Sequence, residues 1–187
     1  MKKRRRGKFF RAWLACLVAA LLIGWWLGEN VFLIVTVKDG AMSPAIEAGS
    51  TIVCFRRTFL KTLVGVVPAE SVQLRRGRAY LVAYHGADGE MKKASLMLRR
   101  ALALPGDVVD VKDGLIIVNG EAEPSGAAGG DRVYPVTVPE GKLFLAGDNS
   151  ALSVDSRRRS FGMPDIDDVI AHPAAVIWPL YAAGPVN

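Results

Sequence analysis

The sequence predicts a mainly β, antiparallel domain carried behind one N-terminal transmembrane helix. Three observations lead there. Residues 12–28 carry no charge and come after a dense run of bases. Beyond residue 30, short runs of β-branched and aromatic residues alternate with clusters of Gly, Pro, Asn and Asp, the signature of strands and turns. Within that part, 108–118 reads as a hairpin, with Lys112-Asp113-Gly114 as its turn and Asn119-Gly120 closing it. A chain of 187 residues has room for one domain and an anchor.

In chain order, residues 1–11 form a basic tail. Lys2, Lys3, Arg4, Arg5, Arg6, Lys8 and Arg11 are seven of the 24 bases, and no acid precedes Glu29. The rest of the chain holds 17 bases against 18 acids, so the net +6 belongs to the tail and argues against nucleic acid as a partner. Bases ahead of an apolar run place the N-terminus in the cytoplasm and translocate the C-terminal part. The 17 residues of 12–28 are at the short end of what spans a bilayer. Phe9, Phe10 and Trp13 on one side, and Trp25 and Trp26 on the other, suit the two interfaces. A cleaved secretory signal is the alternative; Trp25, Trp26, Glu29 and Asn30 stand where a small-x-small site would be, which favours an uncleaved anchor.

The domain is expected over 31–187. Residues 31–37 could prolong the helix, but their β-branched composition fits a first strand. Asp39-Gly40 makes a turn, and Pro44 prevents a long helix there. Strands are expected at 51–55 and 79–84, with a loop or small subdomain across 56–78 and a turn at Gly86-Ala87-Asp88-Gly89. The pattern from Met91 to Ala103 fits strand or helix. Residues 121–130, Glu-Ala-Glu-Pro-Ser-Gly-Ala-Ala-Gly-Gly, read as a flexible loop. Short strands are expected at 133–138 and 143–146, a short helix at 164–168, and a last strand at 174–178. Cys16 lies in the apolar run and Cys54 outside it, so no intrachain disulfide is expected. His85 and His172 are isolated, no Cys/His cluster has metal-ligand spacing, and neither metal nor cofactor is expected.

Three blocks carry chemistry: Asp39-Gly40-Ala41-Met42-Ser43-Pro44, Arg99-Arg100-Ala101-Leu102-Ala103-Leu104-Pro105-Gly106-Asp107, and Gly147-Asp148-Asn149-Ser150-Ala151-Leu152-Ser153-Val154-Asp155-Ser156-Arg157. Together they make the chain resemble the signal peptidase I family, membrane-bound serine proteases with a Ser/Lys dyad. The third block matches over its whole length; the family's next glycine comes two residues late, at Gly162, after Arg158 and Arg159. The resemblance implies that Asp155 and Arg157 form a structural ion pair and that Ser153 faces the residue at the base position.

The same resemblance puts Ala41 at the nucleophile position, Arg99 at the general-base position, and Asp39 where a serine supplies an oxyanion donor. A methyl group cannot form an acyl-enzyme. A guanidinium stays protonated in proteins and cannot accept the hydroxyl proton. A carboxylate beside a developing oxyanion repels it, where loss of one neutral donor already costs about 3–4 kcal/mol. Asp39 and Arg99 would instead pair with each other. Lys92 and Lys93 are too far along the chain to replace the base, and Ser43, before a proline, has no nearby base.

The resemblance also implies a groove that takes an extended peptide as an added strand. Its pocket for small side chains would fall to Met42 and Ile46, with Val37 and Leu98 beside them; the alternative is that these are core residues. The chain then admits three readings. The first is a non-catalytic protein of the bacterial cytoplasmic (inner) membrane, its β domain on the outer, periplasmic side. It would bind exported or signal peptides, or serve beside an active signal peptidase or a secretion, pilus or conjugation component. The second is an active peptidase with an atypical residue set. The third is a membrane-associated scaffold.

Overall fold

The computed structural model describes residues 2–62, 73–86 and 94–186. The turn expected at 86–89 and both Lys92 and Lys93 lie largely or wholly outside those residues. Helix α1 runs Lys2–Asn30, so the basic residues and the apolar run after them share one continuous helix. Its stretch Phe10–Asn30 has a mean hydropathy of 1.8, none of it buried, and is long and apolar enough to cross a membrane. Phe10, Trp13, Trp25 and Trp26 are all exposed, and an apolar helix with no protein cover finds its match in lipid.

After α1 the chain turns into strands: β1 (Phe32–Thr36), β2 (Thr51–Arg56), β3 (Ala79–Tyr84), β4 (Ser95–Ala103), β5 (Val108–Lys112), β6 (Leu115–Val118), β7 (Glu121–Ala127), β8 (Val136–Thr137), β9 (Phe144–Ala146), β10 (Val169–Trp178) and β11 (Gly184–Pro185). A short helix α2 (Arg57–Thr62) comes directly after β2. The larger sheet has the order β1-β2-β10-β3-β4-β9, with β11 also on β10, and the smaller has the order β7-β6-β5-β8. Every pairing among these strands is antiparallel. The fold is the mainly β architecture expected.

Strand β4 holds the two sheets together, because its nine residues reach three separate cores. Leu98 packs with Val37, Met42, Ile46, Ile52 and Leu81. Ala101 packs with Tyr80, Leu143 and Leu145. Leu102 and Ala103 enter the core under the small sheet with Val109, Ile116, Val118 and Phe144. Fully burying each large aliphatic side chain contributes about 1.5–3 kcal/mol, so this strand is pinned along most of its length.

The small sheet obeys its turn chemistry. Asp113 and Gly114 have φ of 52° and 76°, and Asn119 and Gly120 have 52° and 87°. Such left-handed pairs suit two-residue hairpin turns, for which Asp-Gly and Asn-Gly are favoured. Asn119-Gly120 therefore opens a second hairpin, into β7.

Several expectations are corrected. Residues 121–130 are not a free loop: Glu121–Ala127 pairs with β6 as the sheet's edge, where Pro124 removes no needed donor. Where the pattern from Met91 to Ala103 left strand and helix open, Ser95–Ala103 is strand β4. The last strand begins at Val169, five residues earlier than expected, and passes Pro173 at a register shift in its pairing with β2. The strand expected over 133–138 is only Val136–Thr137, and the expected helix at 164–168 is a single 3-10 turn, Ile166–Asp168.

Candidate functional site

A cleft of about 330 Å³ lies between the end of β1 and the start of β4. Val35, Thr36, Val37, Lys38 and Asp39 form one wall, Ala94, Ser95, Leu96 and Leu98 the other, and Leu81 also lines it. Among the described residues, both walls carry strand edge that no other strand covers. Val37 spends its N–H on the Ser50 carbonyl, and its own carbonyl accepts from Gly49 N–H. By the alternation of an antiparallel ladder, the backbone groups of Thr36 and Lys38 therefore point away from β2. Similarly, Ala101 bonds back toward β3 through Arg78 and Gly77, which leaves Leu96 and Leu98 with backbone groups directed away from β3. The strand β9 meets β4 only from Arg100 onward, so the edge at Leu96 and Leu98 is not covered by it.

At one end of the cleft stands Arg99. Its side chain is 3% exposed and carries three hydrogen bonds. Nη1 donates to the Leu98 carbonyl at 2.7 Å, Nε to the Val154 carbonyl at 3.3 Å, and Nη2 to Asp39 Oδ2 at 3.1 Å. The guanidinium thus occupies an acceptor on the β4 edge and ties that wall to Asp39 on the other. Ala41, two residues beyond Asp39, is fully buried, and its carbonyl accepts from Asn149 N–H at 2.9 Å. Gly147 comes so close that a Cβ there would lie 2.5 Å from the Ala41 carbonyl and 2.4 Å from Ser153 Oγ.

The other polar residues of the blocks form a frame. Arg100 grips Asp148 through two parallel bonds, Nε to Oδ1 at 2.8 Å and Nη2 to Oδ2 at 2.7 Å, which joins the second block to the third. Asp107 closes the turn after β4, with its carboxylate accepting from Leu104 N–H and Asn119 Nδ2. Gly106 in that turn has φ of 85°, a conformation that favours glycine. Asp155 and Arg157 pair with both side chains buried, and Arg157 also donates to the Gly147 and Ala127 carbonyls. Burial alone would raise the Asp155 carboxyl, but hydrogen bonds led by Arg157 outweigh it and hold the group below the usual carboxylate range.

A family model for signal peptidase, peptidase S26, matches residues 10–178. The chain belongs to that signal peptidase family. It is 30% identical to signal peptidase I of Bacillus licheniformis over 95% of this chain and 91% of that one. Signal peptidase I T of Bacillus subtilis (strain 168) is 25% identical, over 94% and 89%. A crystal structure of a signal peptidase I from Enterococcus faecalis V583 matches with a TM-score of 0.41 and 22% identity, covering 54% of this chain and 96% of that one.

Of the residues expected to form the pocket, Val37 and Leu98 line the cleft, whereas Met42 and Ile46 are buried in the core behind it. Ser153 is buried; its Oγ, short of a well-formed hydrogen bond, helps hold the Asp155 carboxylate down, and Arg99 bonds the next residue's carbonyl instead. Ser43 is half-buried and its N–H bonds the Gly40 carbonyl. The blocks alone do not point to Thr36, Lys38, Leu81 and Leu96; the signal is the run 31–37 read as a strand, whose edge stays open. Burial pushes the Cys54 thiol up to about 12, so it is no nucleophile. Among the described residues, no group of His, Cys, Asp and Glu is arranged to hold a metal ion.

Proposed function

We propose that this signal peptidase family member does not hydrolyse peptides and instead holds an extended exported or signal peptide in its cleft. The observation that carries this reading is Arg99. Catalysis by the family's dyad needs a neutral amine to take a hydroxyl proton, and here a permanently charged guanidinium bonds Asp39 and two backbone carbonyls. The methyl of Ala41 supplies no hydroxyl, and the carboxylate of Asp39 opposes the charge of an oxyanion. What remains is a pair of free strand edges facing one another, the arrangement used in β-augmentation. The basic start of α1 supports a cytoplasmic N-terminus, with the β domain on the outer side of the bacterial cytoplasmic membrane. In that position the protein serves as an accessory in export, pilus or conjugation assembly, beside an active signal peptidase.

A second reading has its own support: the Bacillus relatives are named signal peptidases, which favours hydrolysis by another residue set. It would need a serine hydroxyl on an uncharged amine. The hydrogen bonds at this end of the cleft provide none, and Ser153 Oγ stands by a carboxylate. Photo-crosslinking of a signal peptide to the full-length protein in detergent, with mass mapping of the adducts, separates the readings. Crosslinks on Thr36, Lys38 and Leu96 with the peptide intact are expected. A processed peptide, or crosslinks spread over the surface, would contradict the proposal.

A further inference from the structure

Where Asp39 and Leu98 line the cleft, the Arg99 guanidinium has an exchangeable anion. Of the three acceptors on the Arg99 guanidinium, the carbonyls of Leu98 and Val154 are backbone and fixed in place. The third, Asp39, is a side chain that is 49% exposed and itself lines the cleft. Being half-exposed, it is the partner that can swing toward water. Arg99 cannot move out with it, being 3% exposed and held by two other bonds. A buried guanidinium that loses its carboxylate is strongly unfavourable unless another anion takes the place.

The cleft, which Asp39 lines, brings an incoming chain to this pair. A peptide strand laid between the walls would pair with Thr36 and Lys38 on one side and Leu96 on the other. At Leu98 the β4 edge is crowded, because Arg99 Nη1 already donates to that carbonyl. A peptide running on past this point meets the Asp39 carboxylate and a carbonyl that already has one donor. A peptide ending at this point presents a carboxylate to a buried guanidinium, the strongest kind of pairing available to it. Lys38, also in the lining, offsets the displaced charge of Asp39.

We infer that the cleft is a receptor for peptides with a free C-terminal carboxylate, which displaces Asp39 from Arg99. This rests on the peptide-holding reading and narrows its ligand to chain ends, whether a native C-terminus or one left by endoproteolysis.

The test compares three fluorescent versions of one short Ala- and Val-rich peptide: C-terminal acid, C-terminal amide, and the same sequence extended past that end. Each is titrated by anisotropy against full-length protein in detergent at low salt, with protein-free micelles as blank. The acid is expected to bind about tenfold tighter than either other form, a gap that narrows as salt rises. Asp39→Asn, which removes the competing carboxylate, is expected to tighten the acid and leave the amide nearly unchanged. Equal binding of acid and amide would overturn the carboxylate inference while leaving the groove reading intact. Absence of binding by all three would overturn both, and a weaker acid in Asp39→Asn would overturn the displacement step.

Discussion

The Arg99 guanidinium lies 3.1 Å from the Asp39 carboxylate, and by bonding the Leu98 carbonyl as well it ties together the two walls of one cleft. Each partner comes from a different sequence block, 60 residues apart. Their juxtaposition puts two opposite charges within hydrogen-bond distance.

On the proposed non-catalytic reading, hydrolysis would require several changes at once. Ala41→Ser alone is expected to stay silent, because the base position holds the Arg99 guanidinium, which cannot take the proton. Arg99→Lys alone is expected to stay silent, because there is nothing to attack with. The triple variant with Asp39→Ser should cleave a signal-bearing preprotein measurably. The double variant that keeps Asp39 should be slower than the triple by about 10²–10³-fold, the usual value of an oxyanion donor. Gel analysis of preprotein turnover checks each case, and activity in either single variant would refute the ordering.

The Asp155–Arg157 pair is a structural element rather than a surface decoration. Both side chains are buried, and Arg157 anchors the carbonyl of Gly147, the residue packed against Ala41. Asp155→Ala leaves a buried guanidinium uncompensated and is expected to cost about 3–5 kcal/mol. Denaturant titration of the detergent-solubilised protein should show a lower midpoint with an unchanged slope. A midpoint within error of the parent would contradict the role.

Gly147 is required by close packing. A methyl at this position would stand 2.4 Å from Ser153 Oγ and 2.5 Å from the Ala41 carbonyl. Gly147→Ala is expected to destabilise by about 2–4 kcal/mol, since backbone must move to admit it. Gly129, with open space around it, is the control: Gly129→Ala should stay within about 0.5 kcal/mol. Thermal melts of the two variants distinguish the cases.

Acid sensitivity has a named source outside the membrane helix. Burial, with Arg57 and Arg78 nearby, pushes His172 down to about 4, and its ring packs edge-on against Tyr80. The unfolded chain titrates this group near 6.5, so between about pH 6.5 and 4 the unfolded state binds more protons. The stability from a neutral His172 is thus full above about 6.5 and is lost as pH falls toward 4. After allowance for the ring's partial solvent access, it is worth about 2 kcal/mol. His172→Gln should flatten that part of the pH–stability curve; an unchanged slope would contradict the assignment. Asp155 acts in the same direction at lower pH, since its depressed carboxyl contributes above the unfolded value of about 4 and is lost below it.

Much of this is legible in the residues. The uncharged run 12–28, the Asn119-Gly120 signal and the opposite charges at 39 and 99 each lead to an observed feature. Strand β7 is not legible because Pro124, Ser125 and Gly126 are turn formers locally. Its pairing depends on being an edge, and on Gly126 fitting against Ile116, where a Cβ would come within 2.9 Å. Strand β10 looks shorter in the sequence than it is because Pro173 resembles an interruption, whereas a register shift absorbs it. The cleft itself is a tertiary product: nothing near Thr36 in the sequence announces that Leu96 will stand opposite. Likewise Met42 and Ile46 are indistinguishable, by type alone, from cleft-lining residues such as Val37.

The central claim is that this family scaffold no longer breaks peptide bonds. Full-length protein in detergent, at stoichiometric amounts with an exported preprotein, tests it when intact mass is monitored over hours. The account predicts that the preprotein's mass stays unchanged. A fragment released at the signal junction, and lost on Ser43→Ala, would contradict it.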